Sequence, residues 1–404
     1  MESVRVSLSQ PSPPSRRTAR PLLDPAAARV VLGCAPSGAL AAPIVPSAAT
    51  LFAPRGVCLC GDAGPLLVSD TGHHRLLIWT RLPRHDDTPA DLVIGQPDFV
   101  SEGRNARGPT GPATLNVPTG VAFGAGVLAV ADAWNHRVLL WRGVPRHSNQ
   151  PADIVLGQAD FVSGDANRGL AAPRADTLNW CYGVTIFDGA VFVADTGNRR
   201  VLIWNRMPAA NGAAADLVLG QRDFHTRDES SGGDLRAGMR WPHAFAVAAD
   251  TCFVADAGSS RIMAWRQRPQ RHGAPCDFVL GQKGFGSTGH NRGAAEPTAA
   301  TLNMPYGLAW HDGRLIVADT ANSRLLGFDP TAIATGAATA LAGQENFGDK
   351  GENRWQSPVR DSLCWPYSIA ASGDTVAVAD TGNNRVLLWW RDDERGQGPP
   401  QPSV

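Results

Sequence analysis

The fold is decided by the stretch VADTGNNRVLLW at residues 378–389, which recurs along the chain with few changes. A second clear copy is VADAWNHRVLLW at residues 130–141. In both copies an aliphatic run ends in Asp, four variable residues follow, and an Arg begins a second aliphatic run that ends in Trp. Two runs of this kind joined by a polar turn are typical of adjacent β-strands.

The phrase occurs six times at nearly constant spacing. Its Asp stands at Asp70, Asp132, Asp195, Asp256, Asp319 and Asp380, in steps of 62, 63, 61, 63 and 61 residues. An Arg follows each Asp by five residues, at Arg75, Arg137, Arg200, Arg261, Arg324 and Arg385. A fixed period of this length that carries strand-like phrases indicates a repeat array.

The composition agrees with an all-β array. Charged residues make up 18% of the chain, and 43 Gly and 31 Pro suit many short strands joined by tight turns. The formal net charge is zero, so no global field favours nucleic acid or an acidic membrane surface. The seven Cys lack CxxC spacing, which favours buried thiols in a reducing compartment. No apolar segment follows the N-terminal arginines, so we expect a cytoplasmic protein without a secretory signal or membrane span.

One full repeat unit runs over residues 115–158. Its four strand-like runs are residues 117–123, 127–131, 137–141 and 153–158, each bounded by turn residues. Four antiparallel strands per unit make one propeller blade, and six units arranged radially bury their faces against one another. The sequence therefore predicts an all-β fold, a six-bladed β-propeller of four-stranded blades that folds as one body.

The fourth strand indicates how the ring closes. Its Gly-Gln phrase occurs at Gly95-Gln96, Gly157-Gln158, Gly220-Gln221, Gly281-Gln282 and Gly343-Gln344, with no copy after the sixth turn. The missing strand is found near the N-terminus, at residues 28–33. We expect this N-terminal strand to complete the last blade and remove its open edge. The propeller then spans residues 28–390, between disordered tails at 1–27 and 391–404.

The Val-Ala-Asp phrase, its four variable residues and its Arg resemble the NHL repeat, and six units resemble an NHL six-bladed β-propeller. The Gly-Gln-x-x-Phe phrase of the fourth strand, as in Gly95 to Phe99, is similar to a bacterial subgroup of uncharacterised NHL proteins. The resemblance covers about residues 28–390. It implies a fold that serves as an interaction platform, as a sensor domain and occasionally as an enzyme.

Residues present in every blade are interpreted as structural, because an active site needs convergence rather than repetition. We expect each Asp to cap the turn between the second and third strands, and each Arg to pair with it or with a neighbouring carbonyl. The aromatic residue that ends the third strand is expected to pack between blades, at Trp79, Trp141, Trp204, Trp265, Phe328 and Trp389. A recurring Asn/Arg phrase is interpreted as a loop fastener, at Asn105 with Arg107, Asn167-Arg168, Asn291-Arg292 and Asn353-Arg354.

Function is expected where equivalent positions differ, and the start of the innermost strand differs most. It is expected to surround one mouth of the central channel. The residue that follows its Pro, which is replaced by Cys181 in blade three, is Arg55, Thr119, Tyr182, His243, Tyr306 and Tyr367 in blades one to six. The chain has three tyrosines, and all three occupy this position. Two positions earlier in the chain stand Trp180, Trp241 and Trp365 in three blades.

These nine residues form the candidate binding site, because Tyr and Trp combine an apolar body with a hydrogen-bonding tip. The alternative is that the tyrosines merely plug a narrow ring. The linker of the fourth blade, residues 225–236, lacks the Asn/Arg phrase and is rich in Gly, Ser and charge. Such a loop is a candidate for movement over a ligand, or has simply drifted in sequence.

The sequence favours binding over catalysis and identifies no catalytic residue, metal ligand or cofactor. A calcium site is disfavoured because the six mouth positions contain no carboxylate. His243, Cys181 and Cys364 are conceivable soft-metal ligands, but nothing in their spacing forces them together. A general base at His243 has no evident nucleophile beside it. A hydrolase or lyase with a small-molecule or metal site in the channel remains the alternative.

RNA binding on a local basic face is a lesser alternative, since some NHL propellers bind RNA. The candidate residues for such a face are Arg55, Arg104, Arg107, Arg168 and Arg292. Zero net charge weakens phosphate attraction and disfavours nucleic acid. We therefore expect a monomeric cytoplasmic scaffold whose partner is another protein, with a small molecule as the second choice and no membrane.

Overall fold

The structure is a computed structural model that describes residues 19–33, 44–229 and 233–390. It contains six sheets, each built on four antiparallel strands, and one of them carries a fifth strand at its edge. The sheets follow one another along the chain, and each is one blade of a propeller. This architecture confirms the predicted fold class, a six-bladed β-propeller. In the described part of the chain, no helix has the length and apolar character that crossing a bilayer requires.

Two short strands precede the first blade, β1 (Arg20–Pro21) and β2 (Val30–Leu32). Blade 1 contains β3 to β6, which are Gly56–Leu59, Leu66–Asp70, Arg75–Trp79 and Leu92–Ile94. Blade 2 contains β7 to β10, which are Pro118–Gly124, Val127–Asp132, Arg137–Arg142 and Ile154–Leu156. Blade 3 contains β11 to β14, which are Cys181–Phe187, Ala190–Asp195, Arg200–Trp204 and Leu217–Leu219.

The second half of the ring repeats this arrangement. Blade 4 contains β15 to β18, which are Pro242–Ala248, Thr251–Asp256, Arg261–Trp265 and Phe278–Leu280. Blade 5 contains β19 to β22, which are Pro305–His311, Arg314–Asp319, Arg324–Phe328 and Ala340–Ala342. Blade 6 contains β23 to β25, which are Pro366–Ser372, Thr375–Asp380 and Arg385–Trp390, and its fourth strand is β2.

The helices are short and lie in connections. A 3-10 helix follows the second strand of each blade, at Thr71–His73, Ala133–Asn135, Thr196–Asn198, Ala257–Ser259, Thr320–Asn322 and Thr381–Asn383. Four linkers between blades contain another, at Arg104–Arg107, Ala166–Gly169, His290–Gly293 and Glu352–Trp355. An α-helix, α1 (Pro330–Thr335), is capped by Asp329, whose Oδ1 accepts a hydrogen bond of 2.8 Å from the backbone N of Ala332.

The N-terminal strand closes the ring as predicted. β2 pairs antiparallel with β25, and Val30 lies opposite Leu388. Asp86 of blade 1 accepts a hydrogen bond from the backbone N of Val31 at 2.9 Å and also pairs with Arg360. The first described residues are thereby tied to both the last blade and the first.

The structure differs from the tail boundary predicted at residue 27. β1 pairs in parallel with β22 as a fifth strand of blade 5, with Pro21 opposite Leu341. The adjoining Leu22 and Leu23 are 2% and 3% exposed. Two consecutive leucines supply enough apolar area to hold this segment against the ring. Residues 1–18 and the predicted C-terminal tail at 391–404 lie outside the described residues.

The core consists of six apolar clusters, one at each junction between neighbouring blades. At the junction of blades 5 and 6, Trp389 packs with Ile316, Leu325 and Val378. The other aromatic residues that end third strands take the same place at their own junctions, as expected. Truncation of a buried Trp to Ala typically costs about 3–5 kcal/mol, so these residues are major contributors to the stability of the ring.

Candidate functional site

A buried Asp–Arg pair in every blade positions the channel mouth. In blade 5, Oδ2 of Asp319 accepts a hydrogen bond from Nε of Arg324 at 2.7 Å. Oδ1 of Asp319 accepts another from the backbone N of Asn303 at 2.7 Å, just before the innermost strand begins. Both side chains are fully buried. The equivalent pairs in the other five blades have Nε–Oδ2 distances of 2.7 to 3.0 Å.

Each Arg also binds the linkers on the mouth face. The guanidinium of Arg324 donates to the backbone O of Phe347 at 2.6 Å, of Thr298 at 3.0 Å and of Thr301 at 3.1 Å. A buried ion pair stabilises a fold only when its remaining donors and acceptors are also satisfied. These pairs meet that condition, and they hold the turn, the linker and the start of the innermost strand together.

The Asn of the linker phrase joins the same network. Asn291 and Asn322 exchange side-chain hydrogen bonds of 3.1 and 2.9 Å, and Nδ2 of Asn322 also donates to Asp319 at 2.7 Å. Equivalent Asn pairs are present at the linkers that follow blades 1, 2 and 5. The linker phrase is thus attached to the Asp–Arg turn of the blade that follows it.

Two contacts between blades went unrecognised in the sequence. The first is a Thr that follows the Asp: Oγ1 of Thr320 donates to the backbone O of Pro366 in the next blade at 2.7 Å. Thr71, Thr196 and Thr381 make the same bond, whereas blades 2 and 4 have Ala133 and Ala257 at this place. The occurrence of either Thr or Ala at this repeat position was the signal in the sequence that could have indicated this contact.

The second contact involves the residue that precedes each Arg, which we call the junction residue. It adopts a left-handed conformation, and its side chain accepts a hydrogen bond from a backbone N at the start of the next blade. Oγ of Ser323 accepts from Trp365 at 3.3 Å, and Nδ1 of His136 accepts from Trp180 at 2.9 Å. His74, Ser260 and Asn384 do the same at three other junctions.

The junction of blades 3 and 4 is different. Its junction residue is Arg199, and a guanidinium has no acceptor. The backbone N of Trp241 instead bonds to Oδ1 of Asp256 at 3.0 Å, within its own blade. Trp180 and Trp365 have a backbone φ of 51°, whereas the φ of Trp241 is not positive. The start of blade 4 therefore follows a path of its own.

Five of the six mouth positions meet in a continuous stack. Ring centroids lie 4.9 Å apart for Tyr182 and His243, 4.2 Å for His243 and Tyr306, and 4.5 Å for Tyr306 and Tyr367. The guanidinium carbon of Arg55 lies 5.0 Å from the centroid of Tyr367 and ends the series. We call these five side chains the mouth stack. Aromatic pairs and a cation over an aromatic face are both favourable at such distances.

His243 is a neutral member of the mouth stack. Its Nδ1 lies 2.9 Å from the backbone O of Trp241. Because a carbonyl only accepts, Nδ1 carries the proton in the neutral ring and Nε2 is left as an acceptor. Burial lowers the pKa of His243 to about 4, and the nearby charge of Arg55 acts in the same direction. Burial also raises the pKa of Tyr306 and Tyr367, so both keep their phenolic protons at neutral pH.

Thr119 does not join the stack. It is 1% exposed, and its hydroxyl lies 3.5 Å from the backbone O of Ala131 and of Cys181. The expectation that it contributes a side chain to the mouth surface does not match this placement. A short β-branched side chain whose hydroxyl lies near backbone carbonyls leaves blade 2 without a large group at the mouth.

The three tryptophans lie outside the stack and are half exposed. Trp180, Trp241 and Trp365 have exposed fractions of 46%, 42% and 47%. We call them the tryptophan rim. Trp180, Trp241 and Arg199 line an open depression of about 640 Å³ at the junction of blades 3 and 4, which also reaches the mouth stack. The depression lies at the one described junction where Arg199 takes the place of a junction residue whose side chain accepts a hydrogen bond.

The channel beneath the stack has a volume of about 330 Å³. Its wall is formed by residues of the innermost strands, including Val57, Phe123, Phe245 and Trp310. Within the described residues, no Asp or Glu lines this channel, and no group of three His, Cys, Asp or Glu side chains has a geometry suited to a metal ion. Sγ of Cys181 donates to the backbone O of Arg137 at 3.1 Å, away from His243.

Four of the five arginines considered for RNA, all except Arg55, are engaged locally. Arg168 pairs with Asp176 at 2.6 Å, Arg292 donates to the backbone O of Gly281 at 3.2 Å, and Arg107 donates to that of Glu102 at 3.0 Å. Arg104 lies over the ring of Trp134 at 5.2 Å. In the fourth-blade linker, Glu229 pairs with Arg240 at 3.2 Å and Arg227 accepts from Arg199, while residues 230–232 lie outside the described residues.

Comparison with known proteins gives relatives of partial length. No family model matches the chain. NHL repeat-containing protein 2 of Gallus gallus is 26% identical over 379 residues, which cover 85% of this chain and 47% of the chicken protein. The Homo sapiens protein of the same name is 25% identical over 351 residues, which cover 80% and 44%. The chain thus spans about half the length of these curated relatives.

Two solved structures resemble the ring at low identity. The WD40 β-propeller domain of Doa1 has a TM-score of 0.47 and 13% identity, covering 91% of this chain and 98% of that one. Hydrazine synthase of Kuenenia stuttgartiensis has a TM-score of 0.48 and 12% identity, covering 88% and 99%. Neither likeness carries an argument about function.

The relatives support the predicted repeat type, whereas the bacterial subgroup stays a prediction. They share the repeat that the Asp–Arg phrase resembles, and this chain folds into six blades around that phrase. These findings support an NHL-repeat β-propeller.

Proposed function

We propose that this propeller is a binding platform whose mouth face docks a protein partner. The observation that carries the proposal is the tryptophan rim, three half-exposed indoles around one mouth of the ring. Large aromatic side chains dominate the binding energy of protein interfaces because they bury much area at little entropic cost. The depression beside Trp180 and Trp241 offers a concave place for a side chain of the partner.

The platform belongs, in this proposal, to a monomeric scaffold in the cytoplasm. The six described cysteines carry free thiols, which suits a reducing compartment. A hydrolase or lyase site in the channel is the competing function. Such a site needs converging carboxylates or a base beside a nucleophile, and the described lining supplies the single imidazole of His243 within an aromatic stack.

The experiment compares partner binding by the wild-type protein, one triple variant and one control variant. The wild-type protein, a Trp180→Ala/Trp241→Ala/Trp365→Ala variant and a Phe187→Ala control are used to purify partners from the native host through a gentle tag. Phe187 is a suitable control because it is 38% exposed and lies near the opposite end of the channel. Each captured protein is then purified and its affinity for all three forms is measured by calorimetry.

The proposal expects a partner that binds the wild type and the Phe187→Ala control equally. A hot-spot Trp contributes about 2 kcal/mol, roughly a thirtyfold change in affinity, so the triple variant should lose at least that factor. Equal binding to all three forms would show that the partner docks elsewhere, and the proposed platform would then be wrong.

A further inference from the structure

One mouth position lacks a large side chain. Successive members of the mouth stack lie 4.2 to 5.0 Å apart, and they occupy five of the six positions around the channel. Blade 2 supplies the sixth position with Thr119, which is buried and short. Tyr182 and Arg55, the two ends of the stack, belong to the blades on either side of blade 2, and both line the channel together with Thr119.

The charge at one end of this opening is not neutralised. In the described part of the chain, no hydrogen bond or ion pair reaches the guanidinium of Arg55, and its Nε is buried without a partner. The guanidinium carbon lies 5.0 Å from the centroid of the Tyr367 ring. A buried donor without a partner costs about 1–3 kcal/mol, and an unpaired cation in a cleft attracts an anion with planar acceptor geometry.

The other end of the opening is an aromatic face. Tyr182 packs at a tilt of 43° against His243 on one side, whereas Thr119 offers no ring on the other. The three tyrosines add phenolic groups around the same mouth, and the channel beneath them is lined by apolar strand residues. A concave site with apolar walls and a few fixed polar groups is the usual form of a small-molecule site.

From this geometry we propose that the opening between Arg55 and Tyr182 binds a carboxylate, with a flat apolar group attached to it taking the place of the sixth ring. The carboxylate pairs with the Arg55 guanidinium, and the flat group stacks on Tyr182. The carboxylate comes either from a free aromatic acid or from an aromatic residue at the C-terminus of a peptide. This site adjoins the depression beside the tryptophan rim through Tyr182, but its binding of a carboxylate does not depend on the proposed protein docking.

The three tyrosines make the site directly observable. Because the chain has three tyrosines and all of them lie in the mouth stack, protein labelled with 3-fluorotyrosine gives fluorine resonances from this site alone. The probes are benzoate, its neutral counterpart benzamide, and the tripeptide Gly-Gly-Phe with a free or an amidated C-terminus. Each probe is titrated into the labelled protein, and the resonance shifts give a Kd.

Two substitutions separate the contribution of charge from that of space. Arg55→Gln removes the cation and keeps a polar side chain of similar length. Thr119→Tyr adds the missing ring, as blades 3, 5 and 6 already have Tyr at this position, and Thr119→Ser is its matched control. Thermal unfolding and the probe-free fluorine spectrum establish that each variant is folded.

The expected result is saturable binding of benzoate or of the free tripeptide, at least tenfold tighter than that of the matching neutral amide. Arg55→Gln and Thr119→Tyr should each weaken it at least tenfold, whereas Thr119→Ser keeps it. Binding of benzoate identifies a free acid as the source, and binding of the tripeptide alone identifies a peptide terminus. The proposal is overturned if neither acid shifts the resonances, or if Arg55→Gln or Thr119→Tyr binds as well as the wild type.

Discussion

The junction of blades 5 and 6 and the junction of blades 3 and 4 use the same scaffold with different outcomes. At the first, Ser323 accepts a hydrogen bond from Trp365, and Thr320 bonds to Pro366. At the second, the bond from Thr196 to Pro242 is kept at 2.5 Å, but Arg199 replaces the accepting side chain. One substitution at a junction residue thus accompanies a changed backbone at the mouth and the depression beside it.

The comparison teaches where this ring tolerates change. The Asp–Arg pairs are the same in all six blades because each is buried and binds several backbone groups. The junction residues differ from blade to blade, since any acceptor of suitable length serves there. Where the junction residue has no acceptor, as at Arg199, the blade still folds and the surface of the channel mouth changes.

The largest effect is expected from removal of the segment that ties blades 5, 6 and 1 together. Deletion of residues 1–33 takes away β1 and β2 and exposes the edge of β25. Leu22, Leu23, Val30 and Leu32 are buried, and each contributes about 1.5–3 kcal/mol, so the free energy of unfolding should fall by at least 5 kcal/mol. Urea unfolding measures this change, and a curve like that of the wild type would refute the role of the segment as a closure.

The next effect concerns the Asp–Arg pairs at the two junctions. Asp319→Ala leaves the buried guanidinium of Arg324 without its carboxylate, which costs about 3–5 kcal/mol. Asp195→Ala should cost the same amount at the junction of blades 3 and 4, because its pair with Arg200 has the same 2.7 Å geometry. Both values come from urea denaturation. A loss below about 1 kcal/mol in either variant would contradict the structural role of the pair.

His243 makes the stability of the junction of blades 3 and 4 depend on pH. Tyr367, which takes the same repeat position at the junction of blades 5 and 6, keeps its proton over the same pH range. The pKa of His243, about 4, is below the ordinary 6.5, so between those values the unfolded chain binds a proton that the folded chain does not. Stability from this group is complete above pH 6.5 and is lost as pH falls to 4, by up to about 3 kcal/mol.

The measurement is the free energy of unfolding at pH 7 and at pH 4 for the wild type and for His243→Gln. The wild type should lose more stability than the variant over this range, because all other titrating groups are common to both. Equal losses would mean that His243 titrates normally in the folded protein.

The smallest effect tests the junction residue itself by a reciprocal exchange. Arg199→Ser offers an alternative acceptor to the backbone N of Trp241, which now bonds to Asp256, so the free energy of unfolding should change by less than about 1 kcal/mol, the usual contribution of one hydrogen bond. Ser323→Arg should destabilise the other junction by a similar amount. Thermal unfolding gives both values, and a crystal structure of Arg199→Ser should show Trp241 with positive φ. No change in that backbone would disconnect the junction residue from the depression.

Much of the ring could be predicted from the sequence because its determinants are periodic. The six Asp–Arg phrases indicated the blades, and the absence of a sixth Gly-Gln phrase indicated that residues 28–33 close the ring. The segment at residues 19–27 was missed because its contribution is two leucines against a neighbouring blade, and a pair of apolar residues in a polar stretch carries no periodic signal.

The mouth could be predicted in part. The three tyrosines, His243 and Arg55 share one repeat position, and the structure brings them together. Thr119 occupies the same repeat position without joining the stack, because its side chain is short and its hydroxyl lies near the backbone carbonyls of Ala131 and Cys181. The different path at Trp241 was also hidden, since it depends on Arg199 in the preceding blade, 42 residues away in the sequence.

The closure by β2 also has a consequence for biosynthesis. Val30 pairs with Leu388, so β2 is synthesised well before its partner in the sixth blade. Contacts of such long sequence separation form slowly, and an unpaired strand edge promotes aggregation in the meantime. The nascent chain therefore carries an unprotected strand until the sixth blade has been synthesised, which makes it a candidate client for chaperones that shield emerging β-structure.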